Sequence, residues 1–374
     1  MKRFFVQFLL FICPLGIIPG IPTFILWKLN ENFYSIDNIL MSDKKYLVGY
    51  MNEINYDYLK WAYLNLNKKK SVWALGSSRV LQFRSGMFDS SFYNAGYIIR
   101  SMTDFVPFLK GLPEAKLPRY LILGLDQWMF NKAFDPMDKT PLIDSWKNSF
   151  EYCPKFTTKY RLVYDDFFAG KYSFKNFIQN DSIYCIGENA ILNNTGFRND
   201  GSIYYGSTIQ KLITKDKSVN DFEFLDTYSR IENGNRRFEN SDSINNNALL
   251  ELNLLLKYCK EEKIKVVAFL PPFAEKVCKK INDLGKHGYI NKIYPGITPI
   301  FKKYNYEIYD FTNVISCNSN DMEMIDGMHG GELTYQKILI SMLDSNSVLN
   351  QVANKGRLKA GLNKKKNNFI IYNN

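Results

Sequence analysis

Short, wholly apolar runs alternate with stretches of helical periodicity in two parts of the chain, near residues 71–125 and 248–345. Ser71–Leu75, Phe92–Gly96 and Tyr120–Gly124 read as strands, each closing on a small or polar loop. Ser101–Leu109 reads as a helix, and Arg79–Phe83 as the start of another, capped by one of two serines. Ala248–Glu262 places Leu249, Leu252, Leu255 and Leu256 at helical spacing. Ile264–Leu270 follows as a strand stopped by Pro271-Pro272. Then come a helix over Ile290–Tyr304, a last strand over Glu307–Phe311 and a closing helix over Leu333–Leu343, with Ile338, Leu339 and Met342 inward. Strands apolar on both faces and alternating with helices predict an α/β domain with a central parallel sheet.

The rest of the chain breaks this rhythm. Phe4–Trp27 is apolar after Lys2 and Arg3, long enough as a helix to cross about 30 Å of hydrocarbon. No A-x-A-like cleavage site follows, so residues 1–29 read as an uncleaved membrane anchor, with a removed signal peptide as the alternative. The two basic residues keep the short N-terminus cytoplasmic and put the main domain outside. Residues 30–70 read as a connecting helical segment, residues 71–345 as the α/β domain, and residues 346–374 as a basic, frayed or surface-bound tail. Within the domain, 128–243 loses its period and reads as a long insertion, either a substrate-facing lid or a surface excursion.

Composition narrows the classes. Hydrophobic residues make up 46% and aromatic residues 16% of the chain, which excludes a disordered protein. The net charge of +11 is scattered or gathered in the tail rather than on a recognition module. It therefore argues against nucleic acid and suits anionic lipid or acidic glycan. With only two histidines, His287 and His329, no metal site is expected, and no cofactor. The six cysteines form no CxxC pair and require no disulfide.

The candidate chemistry lies at Gly76-Ser77-Ser78-Arg79, just past the first strand, and at Asp326-Gly327-Met328-His329, just before the last helix. A serine at the carboxyl edge of a parallel sheet faces the crevice where such folds bind ligands. It needs an adjacent base, and His329 with Asp326 three residues earlier supplies base and orienter from one short loop. Either serine fits by spacing alone. The plainer readings are an N-cap for the serines and a turn for Asp-Gly. Arg79 reads as a solvated surface arginine or a group that steers an acidic glycan, and Trp128, Tyr204 and Tyr205 as sugar-stacking or core aromatics.

The order strand, Gly-Ser-Ser, helix, then Asp-x-x-His before the closing helix resembles the SGNH (GDSL-like) hydrolase superfamily over about residues 71–125 and 264–345. The resemblance implies a three-layer, flavodoxin-like sandwich with Ser78 as nucleophile and Ser77 as the alternative. It further implies His329 and Asp326 as base and orienter, and Gly96 of Asn94-Ala95-Gly96 as an oxyanion donor. Asp126 of Gly124-Leu125-Asp126-Gln127 stands where the family has an asparagine, and a carboxylate donates nothing to an oxyanion unless protonated. Gly-Ser-Ser and Phe269-Leu270-Pro271-Pro272-Phe273 make the chain look most like the membrane-anchored variants, the D-alanyl teichoic acid transfer protein and the alginate-type acetylation proteins. Those imply an extracytoplasmic esterase or O-acyltransferase on cell-surface polysaccharide, with a membrane-bound acyltransferase as partner. An inactive scaffold or glycan-binding protein of an export or modification system is the alternative.

Overall fold

In the computed structural model, residues 2–31, 36–51, 56–134, 156–173 and 183–372 are described. The chain divides into two compact units, one of Met1–Asn55, Asn148–Asn199 and Tyr204–Ser207, the other of Tyr56–Lys147, Asp200–Ile203 and Thr208–Asn374. The expected insertion is thus shared out. Its residues 208–243 belong with the second unit, and 135–155 and 174–182 lie outside the described residues.

The second unit carries five strands: β1 (Val72–Gly76), β2 (Phe92–Gly96), β3 (Tyr120–Gly124), β4 (Lys265–Leu270) and β5 (Glu307–Asp310). They form one parallel sheet in the order β2-β1-β3-β4-β5. The first three strands are buried at every position, which explains why they read as apolar runs, interrupted only by Asn94 in β2. Strand order reverses between β1 and β3, and in such sheets the crevice outside that switch point is where ligands bind.

Helices of this unit among the described residues include α1 (Tyr56–Leu66), α2 (Phe105–Lys110), α3 (Leu225–Asn233), α4 (Asn246–Glu261), α5 (Glu275–Leu284), α6 (Ile290–Tyr304), α7 (Glu332–Asp344) and α8 (Lys355–Leu362). α4 buries Ala248, Leu252, Leu255, Leu256 and Cys259 on one stripe, starts on the Asn245 side-chain cap, and packs against α2, α6 and β4. α7 buries Ile338, Leu339 and Met342 completely.

Of the two expectations for the basic tail, frayed or surface-bound, the tail is bound rather than frayed. α8 packs on α7, Leu358, Phe369 and Ile370 are buried, and the Ile371 and Tyr372 amides both donate to Glu332 Oε2 at 2.9 Å. Arg357 donates to the Gly86 carbonyl at 2.6 Å and pairs with Asp89 at 2.8 Å. The apolar Phe-Ile pair after the lysines supplies the burial, and Glu332 supplies the acceptor that two amides need.

α1 contributes a buried carboxylate. Asp57 pairs with Arg100 at 2.8 Å, but its Oδ1 has no hydrogen-bond partner. Burial pushes its pKa up to about 6, with Arg100 opposing and Asp104 adding to the rise. The folded state therefore holds this proton more tightly, so the stability it gives is complete below the unfolded value and is lost as pH rises through about 6. Stability is expected to fall by roughly 2–3 kcal/mol between about pH 4 and pH 6 on this account. Asp57→Asn is expected to remove that slope in melting curves taken across the range.

In the first unit a helix over Lys2–Lys28 leads to a four-stranded sheet of Tyr184–Ile186, Tyr46–Val48, Thr195–Arg198 and Ile203–Tyr205, in that order. Ile25, Leu26 and Leu29 form a small core with Val163. No single helix among the described residues is long and apolar enough to cross a membrane. The bent pair Lys2–Cys13 and Gly16–Lys28, 40° apart, meets length and composition only together.

Candidate active site

The serine turn begins where β1 ends. Val80 is buried on the ends of three strands, and a Cβ at Gly96 or Gly124 would come within 2.5 or 2.3 Å of its methyl groups. Those glycines make the seat into which the turn drops. Ser78–Val80 then forms one 3-10 turn rather than the expected helix. Asn94 braces the turn from the neighbouring strand, its Nδ2 donating to the Val80 and Phe83 carbonyls at 2.8 and 3.0 Å. Any electrostatic help to the site thus comes from one turn's amides, not a macrodipole.

The turn separates the two serines. Ser77 is buried and its Oγ caps the turn, accepting from the Arg79 amide at 3.1 Å. Ser78 Oγ instead lies 2.9 Å from His329 Nε2. His329 Nδ1 is 2.9 and 2.8 Å from the two oxygens of Asp326, whose Oδ1 also accepts the Met328 and His329 amides at 2.7 and 2.8 Å. Burial alone would raise the Asp326 pKa, but the His329 charge, its ring N–H and these amides hold the carboxyl below the usual carboxylate range. With a carboxylate facing Nδ1, that nitrogen carries the hydrogen and Nε2 is left as acceptor for the serine proton. His287, the other histidine, is buried elsewhere, with Nε2 donating to the Phe238 carbonyl at 2.8 Å.

The two oxyanion expectations need correction. The Gly96 amide donates to Asn94 Oδ1 at 2.9 Å, because Asn94 turns that oxygen back on its own strand end. Asp126 is fully buried and pairs with Arg79 at 3.4 Å, while its Oδ2 finds no partner among the described residues. Burial raises the Asp126 pKa against Arg79, the Ser77 hydroxyl, Arg237 and His329, so this residue supports the turn from beneath.

Arg79 also differs from both readings of it, since its side chain is buried. Nε donates to the Met328 carbonyl at 2.9 Å, Nη1 to Gln127 Oε1 at 2.6 Å and Nη2 to the Pro271 carbonyl at 2.8 Å, with Cζ 4.5 Å over the Phe273 ring. One guanidinium thus ties the residue after Ser78 to the residue before His329, through the ends of β3 and β4. Tyr335 of α7 donates to the Arg79 carbonyl. A second positioning group, Asp221, accepts the Gly327 amide at 2.9 Å and the Thr227 hydroxyl at 2.6 Å. Nothing in the aperiodic stretch around Asp221 marks it in the sequence.

Trp128 is buried rather than offered to a sugar, and Tyr204 and Tyr205 belong to the first unit, where Arg198 lies 5.3 Å over the Tyr204 ring. Among the described residues no three His, Cys, Asp or Glu side chains converge into a metal-holding group. The described cysteines are free, and Cys153 lies outside the described residues. No family model matches the chain, and no curated protein or solved structure matches it.

Proposed function

We propose that the chain is an SGNH-type serine esterase or O-acyltransferase, held at the membrane by its N-terminal helix and acting outside it on acylated cell-surface polysaccharide. The observation that carries the reading is the unbroken line from Ser78 Oγ through the His329 ring to Asp326, at 2.9 and 2.8 Å. It stands at the edge of a sheet whose strand order is that of flavodoxin-like three-layer sandwiches. The apolar bent pair at Lys2–Cys13 and Gly16–Lys28 supports the anchor.

In this mechanism His329 Nε2 takes the Ser78 proton as Oγ attacks the acyl carbonyl. The Ser78 amide, first in its turn and so without an acceptor within it, donates to the oxyanion. The ester C–O bond breaks, His329 protonates the departing alcohol, and the acyl group stays on Ser78. Water or a sugar hydroxyl then attacks, gives its proton to His329, and Ser78 regains it on release.

A second reading, a catalytically silent scaffold or glycan binder, draws on the Gly96 amide and Asp126 being engaged elsewhere. A fluorophosphonate that phosphonylates activated serines, applied with an acetylated chromogenic ester, separates the two. The parent and Ser77→Ala are expected to take the label, and Ser78→Ala to lose it together with ester turnover. Loss of label in Ser77→Ala alone would move the nucleophile one residue. A parent that neither labels nor turns over would favour the scaffold.

A further inference from the structure

Ser78 and His329 come from segments 251 residues apart, yet Oγ and Nε2 stand 2.9 Å from each other. A misplacement of about 1 Å costs such a pair roughly a hundredfold in rate, so whatever fixes the two segments against each other bears on the chemistry. One tie is Arg79, which reaches the Met328 carbonyl just before the histidine. A second lies just after it. Glu332 opens α7, three residues past His329, and its Oε1 meets Arg84 Nη1, six residues past Ser78.

Both side chains are buried, Arg84 with 7% and Glu332 with 1% of its surface exposed. Arg84 Nε also donates to Asp200 Oδ2 at 3.0 Å, so one guanidinium holds two carboxylates. Asp200 is itself fastened to the serine segment. Its Oδ2 accepts the Ser85 amide at 3.0 Å, and its carbonyl accepts the Asn94 amide at 2.8 Å. The negative charge left over is met by N–H and O–H donors. Ser202 gives its amide and hydroxyl to Asp200 Oδ1 at 3.1 and 2.5 Å, and the Ile371 and Tyr372 amides donate to Glu332 Oε2. The Glu332 amide donates in turn to the Phe369 carbonyl at 2.8 Å, so the tail holds α7 at its first residue.

Buried charges of this kind add little net stability, because well-packed apolar side chains of similar volume often do as well or better. What they add is one geometry, since a planar fork between two carboxylates fixes angle as well as distance. Tyr335, in the first turn of α7, stands edge-on to Phe83 at 5.1 Å and donates to the Arg79 carbonyl. The same end of α7 thus meets the serine segment a second time.

We propose that Arg84 and Glu332 are positioning residues, which hold the histidine loop in register with the serine turn and so set the Ser78–His329 distance. The proposal rests on the acyl-chemistry reading above and adds to it a second brace, placed after the histidine as Arg79 is placed before it.

The test uses the full-length protein and two readouts. One is kcat and KM on the acetylated chromogenic ester, per folded molecule, with the fluorophosphonate labelling rate standing in for kcat if the parent only takes label. The other is the nitrogen NMR spectrum of the histidine rings, to which only His287 and His329 contribute. Ser78→Ala marks where the His329 Nε2 signal falls once its partner is gone. Glu332→Gln keeps an oxygen for the tail amides and removes the charge that Arg84 meets. Arg84→Lys keeps the charge without the fork, and covers a Glu332→Gln chain that fails to fold. Each is expected to lower kcat about a hundredfold with KM within about threefold of the parent, and to move the His329 signal toward its Ser78→Ala position. A kcat within about threefold of the parent, or a His329 signal that stays parental in the folded variants, overturns the brace. If the parent neither turns over the ester nor takes the label, the acyl reading falls and the signal decides alone. A shift toward the Ser78→Ala position then upholds the brace. A parental signal, or one that Ser78→Ala itself leaves unmoved, overturns it.

Discussion

Replacing His329 by alanine is expected to slow ester turnover about a million-fold, and replacing Asp326 by asparagine about ten-thousand-fold, by analogy with serine proteases. The first change removes the group that faces the Ser78 hydroxyl at 2.9 Å. The second keeps the shape of the loop but inverts its hydrogen-bond logic. An asparagine can still offer Oδ1 to the Met328 and His329 amides, as Asp326 does at 2.7 and 2.8 Å. Its amide then faces Nδ1 as a donor, so the ring hydrogen moves to Nε2 and points at the serine it should relieve. Single-turnover kinetics would show an acylation step lost while folding is kept. An Asp326→Asn protein within tenfold of the parent would remove Asp326 from the chemistry.

The second large effect concerns Arg79. Arg79→Met removes the only cation in contact with the fully buried Asp126 and leaves the Pro271 and Met328 carbonyls without this donor. Stranding one partner of a buried pair costs about 3–5 kcal/mol, which should lower the melting temperature by roughly 10 °C. Arg79→Met combined with Asp126→Asn is expected to recover part of that loss, since the uncompensated charge goes with it. Because the guanidinium joins the serine turn to the histidine loop, the single variant should also lose turnover beyond what its stability explains. Recovery of melting temperature without recovery of turnover in the double variant would identify Arg79 as a positioning residue.

The strands were legible because their burial is local information. β1 and β3 are apolar on both faces, and nothing in Val72–Gly76 or Tyr120–Gly124 suits any other place. The Asp326–His329 loop was legible because orienter and base lie within one turn of each other. Arg79 was not, since whether a charge is buried depends on acceptors scattered from Asp126 to Met328. The same reason hid the bracing role of Asn94, which holds the turn after Ser78 from a strand away. The placement of 208–243 was hidden as well, because α3 packs on α5 through pairings the aperiodic stretch does not display.

The docked tail has a consequence for how the protein is made. Arg84, six residues past Ser78, pairs with Glu332, and Glu332 also accepts the amides of Ile371 and Tyr372. At about 5–20 residues per second, the ribosome needs roughly 15–60 s to travel from that serine to those amides. For most of that interval the strands already made wait for α7, and for the last part of it Glu332 waits for two of its donors. The Arg84–Glu332 pair thus joins the first and the last parts of this unit to be synthesised, so its full set of partners is met only after translation has passed Tyr372.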